Sequence, residues 1–386
     1  MVVMKLKDCC TIIAGQSPES KYYNTDGIGI PFFQGKADFG ELYPTVRVYC
    51  SQPTKIAEKD DILLSVRAPV GATNLAPGKV CIGRGLTAIR PCSNLKLKYL
   101  LYFFRYFQAQ LQTKGTGTTF KAITQSIVKN IELPVPPLVE QKRIVAKIEE
   151  LFSELDSGVE TLKKTKQQLA VYRQAVLKAA FEGRYTNSVP KKHAKVSDFA
   201  EVGTGATPLT TNPAYYGGNI AWITSARIND EKIYTPSEYI TEKAVSETNC
   251  KLYPPHTLLV AMYGEGKTRG KCAELMITAA TNQALAAIEL HQEDETFRNY
   301  LKWFLVLNYQ LLRRQASGGV QPNLNLGIIK NISVPVFDRE EQIRICEEIE
   351  SRLSVCDSIE KTVNAALQQS EAMRQSILKK AFDGGL

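Results

Sequence analysis

The sequence predicts an α+β protein in which one unit is used twice. Two similar α/β domains are expected, joined by two long antiparallel coiled-coil helices in a pseudo-two-fold internal repeat. Three observations carry this. Residues 127–183 align without a gap on residues 328–384 at an offset of 201, with 25 identities in 57 positions, far above chance. Within that repeat, apolar residues recur every seven positions. The segments ahead of it differ between the copies, yet both show short β-type runs separated by glycine, proline and asparagine turns.

The elements follow in order. Residues 1–137 form the first head, with β-type runs at 28–33, 62–66 and 80–82 and a helix near 99–112. Pro136-Pro137 closes its last strand, and residues 138–187 hold the first long helix, ended by Gly183 after Phe181. One apolar row of this helix is Ile148, Leu155, Leu162, Leu169 and Val176. A second is Ile144, Leu151, Tyr172 and Ala179, with Gly158 and Thr165 as weak points. A seven-residue spacing kept this long calls for a partner helix. The second head, residues 188–337, has runs at 220–224, 257–262, 275–278 and 284–290 and a helix near 297–315. The final segment, 338–386, holds the second long helix, with a poorer seam of Ile345, Ile349, Cys356, Ile359, Val363, Met373 and Ile377. Arg352 and Ser370 stand at core-type positions there. Each helix alone would expose too much apolar surface, so the two are expected to pair. Chain direction makes them antiparallel, because the second must run back along the first.

Upstream of the repeat the match continues at Tyr99 and Tyr300, Phe103 and Phe304, Gly117 and Gly318. Earlier the register drifts, but Gly15-Gln16-Ser17-Pro18 is echoed by Gly205-Ala206-Thr207-Pro208, and Leu63-Leu64 by Leu258-Leu259.

Composition narrows the function classes. The 386 residues are 44% hydrophobic and 23% charged, an ordinary soluble composition with room for two or three domains. No run of eighteen apolar residues and no signal-peptide layout is present, so no membrane role is expected. The nine cysteines are scattered and never spaced C-x-x-C, which reads as reduced thiols in a cytoplasmic protein. His193, His256 and His291 have no cysteine or carboxylate at metal-ligand spacing, which argues against a zinc site or a histidine-based catalytic centre. The net charge is +9, and +8 of it falls in residues 1–137. That suits a polyanionic partner and also a merely solvated basic surface.

Taken together, the chain resembles the DNA-specificity subunit of type I restriction-modification enzymes over essentially its whole length. The carriers are "KNIELPVPPLVEQKRIVAKI" and "KNISVPVFDREEQIRICEEI", the endings "RQAVLKAAFEG" and "RQSILKKAFDG", and the G-[QA]-[ST]-P turn of each head. The resemblance implies that the heads are target recognition domains, each reading one half of a split double-stranded DNA sequence. It implies that the helices hold the heads apart and dock methyltransferase subunits, with restriction/translocase subunits completing the complex. Duplicated surfaces suggest two methyltransferase copies. Catalysis then belongs to the partners, which use S-adenosylmethionine, ATP and Mg, and this chain binds no cofactor. The poorer seam of the second helix departs from the family pattern. A methylation-only complex and a protein-binding coiled-coil adaptor stand as alternatives.

Two motifs point elsewhere. "LLVAMYGEGKTRGK", residues 258–271, fits a relaxed P-loop, but Gly270 and a strand-like run follow where a helix should start. Its counterpart, "LLSVRAPVGATN", has no GK[ST], which favours a recognition loop. Asn212-Pro213-Ala214-Tyr215 is one letter from an adenine-methyltransferase motif, yet no glycine-rich cofactor loop precedes it. For DNA contact the expected side chains in the first head are Gln16, Ser17, Lys21, Tyr22, Gln34, Lys36, Arg67 and Arg84. In the second they are Thr207, Tyr215, Trp222, Thr224, Arg227, Tyr263, Lys267 and Arg269, with Lys271 beside them.

Overall fold

The computed structural model describes residues 2–115, 122–263, 268–317 and 324–385, with the backbone alone for 310–317. The chain divides into two compact units. One comprises residues 1–163 with 364–386, the other residues 164–363. Each unit thus contains one head, half of the first long helix and half of the second.

In the first unit, strands Cys10–Ala14, Leu86–Pro91, Ile62–Ser65 and Thr73–Leu75 form an antiparallel sheet in that order. Ile62–Ser65 is buried throughout, as a central strand of Ile and Leu should be. A second sheet runs Tyr23–Asn24, Tyr49–Cys50, Ile30–Phe33, Val80–Ile82, Ile56–Ala57 and contains one parallel pair, Ile30–Phe33 with Val80–Ile82. A separate ribbon pairs Val2–Lys5 with Glu132–Val135. Helix Leu97–Thr113 buries Leu100, Phe103, Phe104, Phe107 and Leu111, the stripe expected of an amphipathic helix.

The second unit repeats this plan. Its main sheet runs Ala200–Thr204, Leu285–Leu290, Leu258–Ala261, Cys272–Leu275, Lys232–Ile233. A smaller one runs Glu238–Ile240, Tyr216–Ile223, Ala279–Thr281, Leu252–Tyr253. The ribbon is Lys192–Lys195 with Ser333–Val336, and the helix is Glu295–Ser317. The parallel pairing of Phe32 with Cys81 recurs as Trp222 with Ala280. The strand expected at 275–278 lies earlier, at Cys272–Leu275, where Leu258–Ala261 pairs with it as a hairpin. Strand pairing also corrects one echo by a residue. Ile62 faces Ile89 as Leu258 faces Ile288, so Ile62-Leu63, not Leu63-Leu64, correspond to Leu258-Leu259.

The long helices are Leu138–Phe181 and Arg339–Phe382. Gly183, at φ 68°, ends the first: its N–H and that of Arg184 bond to the carbonyls of Ala180 and Ala179. This is a Schellman stop, which needs the left-handed conformation that glycine tolerates. Within each unit the helices run antiparallel. In the second unit Phe181 shares a core with Ile345 and Ile349, while Arg173 meets Asp357 at 2.6 Å and Glu360 at 3.0 Å. In the first unit Asp156 pairs with Arg374, and Ile148 shares a core with Leu378 and Phe382.

The aromatic anchors are duplicated too. Phe382 packs on Tyr99 and Phe103 at 5.2 and 5.6 Å between ring centroids. Phe181 packs on Tyr300 and Phe304 at 5.1 and 5.2 Å.

The seam is less regular than a strict heptad. Ile148, Leu169, Val176, Cys356 and Val363 are buried, Leu155 and Leu162 half-buried, whereas Tyr172, Ile359 and Met373 are exposed. A straight helix drifts about 20° per heptad from a 3.5-residue repeat, which turns such positions off the contact line. Both polar seam residues are satisfied locally. Arg352 pairs with Glu348 at 3.0 Å and lies 4.0 Å over the Tyr185 ring, and buried Ser370 donates to the Ala366 carbonyl.

Candidate nucleic-acid interface

In each head three loops meet at one end of the main sheet. In the first, strand Cys10–Ala14 runs into Gly15, whose N–H bonds to the Leu86 carbonyl at 2.9 Å. A Cβ there would lie 2.2 Å from the Gly83 carbonyl oxygen, so only glycine allows the turn. Strand Ile30–Phe33 delivers Gln34, and the Phe33 carbonyl accepts from Gly83 N–H at 2.8 Å. The third loop, Gly83-Arg84-Gly85, closes on both: a Cβ on Gly85 would meet the Gln34 carbonyl oxygen at 2.2 Å. Arg84 N–H donates to Ser17 Oγ at 3.3 Å. Val66 N–H bonds to the Gly85 carbonyl and places Arg67 alongside. Gln16, Ser17, Gln34, Arg67 and Arg84 are thereby gathered, all but half-buried Ser17 exposed. Lys21, Tyr22 and Lys36 stand on neighbouring short turns without a hydrogen bond to these loops. Lys21 is ion-paired with Glu19 at 2.6 Å and lies over the Tyr22 ring.

The second head builds the same frame from different residues. Asn282 N–H bonds to the Ile223 carbonyl as Gly83 does to Phe33, and Met262 N–H to the Ala284 carbonyl as Val66 does to Gly85. A Cβ on Gly205 would lie 1.7 Å from the Thr281 carbonyl oxygen, the same glycine requirement. Thr207, Thr224 and Tyr263 come together on this frame. Thr207 Oγ1 donates to Gln283 Oε1 at 2.5 Å, and Thr224 is 3.0 Å from Ser237 Oγ. Gln283 and Ser237 escaped the sequence reading. Gln283 stands where the first head has Arg84, a correspondence hidden by the drifting register.

Other expected residues are placed differently. Trp222 is 6% exposed and donates from Nε1 to the Ala206 carbonyl, so it serves the core and its ring presents no face to a ligand. Arg227 is held within its own loop by Thr235 and by Asp230 at 3.5 Å. The Tyr215 hydroxyl bonds Glu247 at 3.1 Å. Arg269 is half-buried, Lys271 bonds the Asn229 side chain, and Lys267 lies outside the described residues. The strand that opens the relaxed P-loop stretch, Leu258–Ala261, pairs antiparallel with Cys272–Leu275, so a strand follows where a phosphate loop would need a helix, and residues 264–267 lie outside the described residues. Asn212 caps a 3₁₀ turn by accepting from Ala214 N–H, a structural use of the methyltransferase-like tetrapeptide.

Away from the loops, Glu274 is buried between Arg298 and His256, at 3.0 and 2.9 Å. Burial pushes its carboxyl up, but the His256 hydrogen bond and the charges of Arg298, Lys302 and Lys232 outweigh this and hold it below the usual carboxylate range. His256 and Arg298 also line a cavity of about 470 Å³. Strand Leu258–Ala261 starts beside His256 and ends beside Tyr263, so this cluster lies at the sheet end away from the three loops. Among the described residues no three His, Cys, Asp or Glu side chains form a metal-ion cluster, and no helix is long and apolar enough to cross a membrane.

Comparison with known proteins adds to this geometry. The model of the type I restriction modification DNA specificity domain matches residues 1–169 and again 189–369. The StySPI specificity subunit of a type I restriction enzyme from Salmonella potsdam is 24% identical over 371 residues, 91% of this chain and 80% of its own. A Methanocaldococcus jannaschii protein, provisionally named the MjaX specificity subunit, is 40% identical over 176 residues, which are 45% of this chain and 40% of that protein. Among solved structures, a chain from a type I restriction-modification system superposes with a TM-score of 0.74 at 18% identity, covering 100% of this chain and 98% of that one. At that identity the likeness speaks for the fold alone.

Proposed function

The chain belongs to the family of type I restriction modification DNA specificity domains, matched in both repeats, and we propose that it is the non-catalytic, sequence-reading subunit of a type I restriction-modification complex. Each head reads one half of a split double-stranded target. The long helices set the gap between the halves and dock two methyltransferase subunits, and restriction/translocase subunits complete the assembly in the cytoplasm. S-adenosylmethionine, ATP and Mg act in those partners, and this chain holds none of them.

One observation carries the reading. The two heads share the same three-loop frame, down to equivalent backbone hydrogen bonds, yet present different side chains on it. Arg84 is replaced by Gln283 at the equivalent position of the second copy, Gln34 by Thr224, and Arg67 by Tyr263. One frame with two sets of polar tips suits two different sequences of one kind of ligand. The side chains are those that bond base edges and phosphates.

The test is co-expression with the cognate methyltransferase subunit, followed by genome-wide mapping of methylated adenines. Two short specified blocks around an unspecified gap are expected, and one continuous block would refute the reading. The mass of the saturated complex should correspond to two methyltransferase subunits per chain; one would overturn that stoichiometry. DNA affinity should fall steeply with salt, as phosphate contacts require and a protein-binding adaptor would not show.

A further inference from the structure

The tips of the third loops differ in a way that has chemical content. Gln283 is exposed, and its Oε1 already accepts the Thr207 hydroxyl proton at 2.5 Å. One Oε1 lone pair and the Nε2 hydrogens stay free of it, so the amide offers an acceptor and a donor side by side. Adenine presents the complement in the major groove, an N6 donor next to an N7 acceptor. Guanine presents two acceptors there and would set its O6 against Oε1. Arg84, in the equivalent place, has its backbone held by Ser17 and an exposed guanidinium with donors only. That fork matches guanine O6 and N7.

We propose that Gln283 and Arg84 are base-reading residues of the two half-sites, Gln283 taking an adenine edge and Arg84 a guanine edge, with Thr207 as the positioning residue that fixes the Gln283 amide. This rests on the DNA-reading function proposed above. The equivalence stands on backbone geometry: the loop of Arg84 is tied to Phe33 and Val66 as the loop of Gln283 is to Ile223 and Met262. Neighbouring candidates are otherwise engaged, Trp222 in the core and Arg227 with Thr235 and Asp230.

The experiment uses the full chain in complex with its methyltransferase subunits and selects bound duplexes from a pool randomised across both blocks. Gln283→Arg should turn one adenine position of one block into guanine and leave every other position unchanged. Arg84→Gln should do the reverse in the other block. Gln283→Ala should lower the base preference at its single position roughly tenfold to a hundredfold. Thr207→Val should weaken the same position and Thr207→Ser restore it, a pattern that a packing role for Thr207 would not give. Selection of the wild-type sequence at every position by both Gln283 variants would overturn the assignment. Should the wild-type complex itself select no two-block sequence, the DNA-reading function falls rather than this assignment, so the two failures are separable.

Discussion

Lengthening both long helices by one heptad should widen the gap between the half-sites without altering either half. The insertion points come from the pairing within the first unit. Asp156 meets Arg374 and the helices are antiparallel, so residues 155–162 face residues 368–375 of the other helix. Heptad spacing alone would place the second insertion between Cys356 and Val363. Those residues belong instead to the stretch that meets Arg173, and adding a heptad there would leave the intervening turns mispaired. Seven residues at about 1.5 Å each add roughly 10 Å to a helix. At about 3.4 Å per base pair, this corresponds to about three base pairs of duplex. Three base pairs also turn the second half-site by roughly a hundred degrees, given 10 to 10.5 base pairs per turn. A gap change smaller than three, with weaker binding, is therefore within the expectation. The assay is methylation mapping of the doubly extended chain with its methyltransferase subunits. Methylation at wild-type level with the original gap would refute the helices as the spacing element.

Further expectations follow from packing and charge. Phe382→Ala removes a ring packed on Tyr99, Phe103 and Tyr106 and should destabilise the first unit by about 3–5 kcal/mol. Hydrogen exchange should show the loss in the first unit, and Phe181→Ala should mirror it in the second; equal loosening of both units by either variant would contradict the division. Arg298→Met leaves Glu274 buried without its main cation and should cost about 3–5 kcal/mol in thermal or denaturant unfolding of the second unit; a loss under about 1 kcal/mol would argue against a buried ion pair. Because the folded Glu274 carboxyl lies below its unfolded value of about 4.3, its contribution is present above that pH and is lost as pH falls through the folded value. Glu274→Gln should therefore flatten the acid limb of the stability profile below about pH 4, and an unchanged slope would refute the linkage. Of the nine unpaired cysteines only Cys92 is exposed, so brief alkylation of the native chain should mark Cys92 first; burial pushes the Cys346 thiol up to about 12, and early labelling there would contradict its packing.

What was legible in the sequence, and what was not, divides along physical lines. The duplicated helices and their aromatic anchors were readable because core contacts such as Phe181 on Tyr300 and Phe382 on Tyr99 constrain both copies alike, and identity survives where packing demands it. The drift ahead of the repeat has the opposite cause. Loops between strands tolerate insertions, so the offset between the copies is 190 at Phe33 and Ile223, 196 at Ile62 and Leu258, and 199 at Cys81 and Ala280. Gln283 was not singled out in the sequence for that reason: its correspondence to Arg84 emerges only once hydrogen-bonded strands, not letters, define the register. Trp222 was expected at the DNA because an aromatic in a polar stretch can equally be a base-stacking face or a core anchor. Only its burial and the bond to Ala206 decide. Arg227 likewise reads as a ligand for phosphate until Thr235 and Asp230 are seen to claim it. Type and spacing thus located the loops, whereas the state of each side chain within them depends on partners distant in sequence. That dependence is why the bond from the Thr207 hydroxyl to the Gln283 amide oxygen, across seventy-six positions, could be read only from the fold.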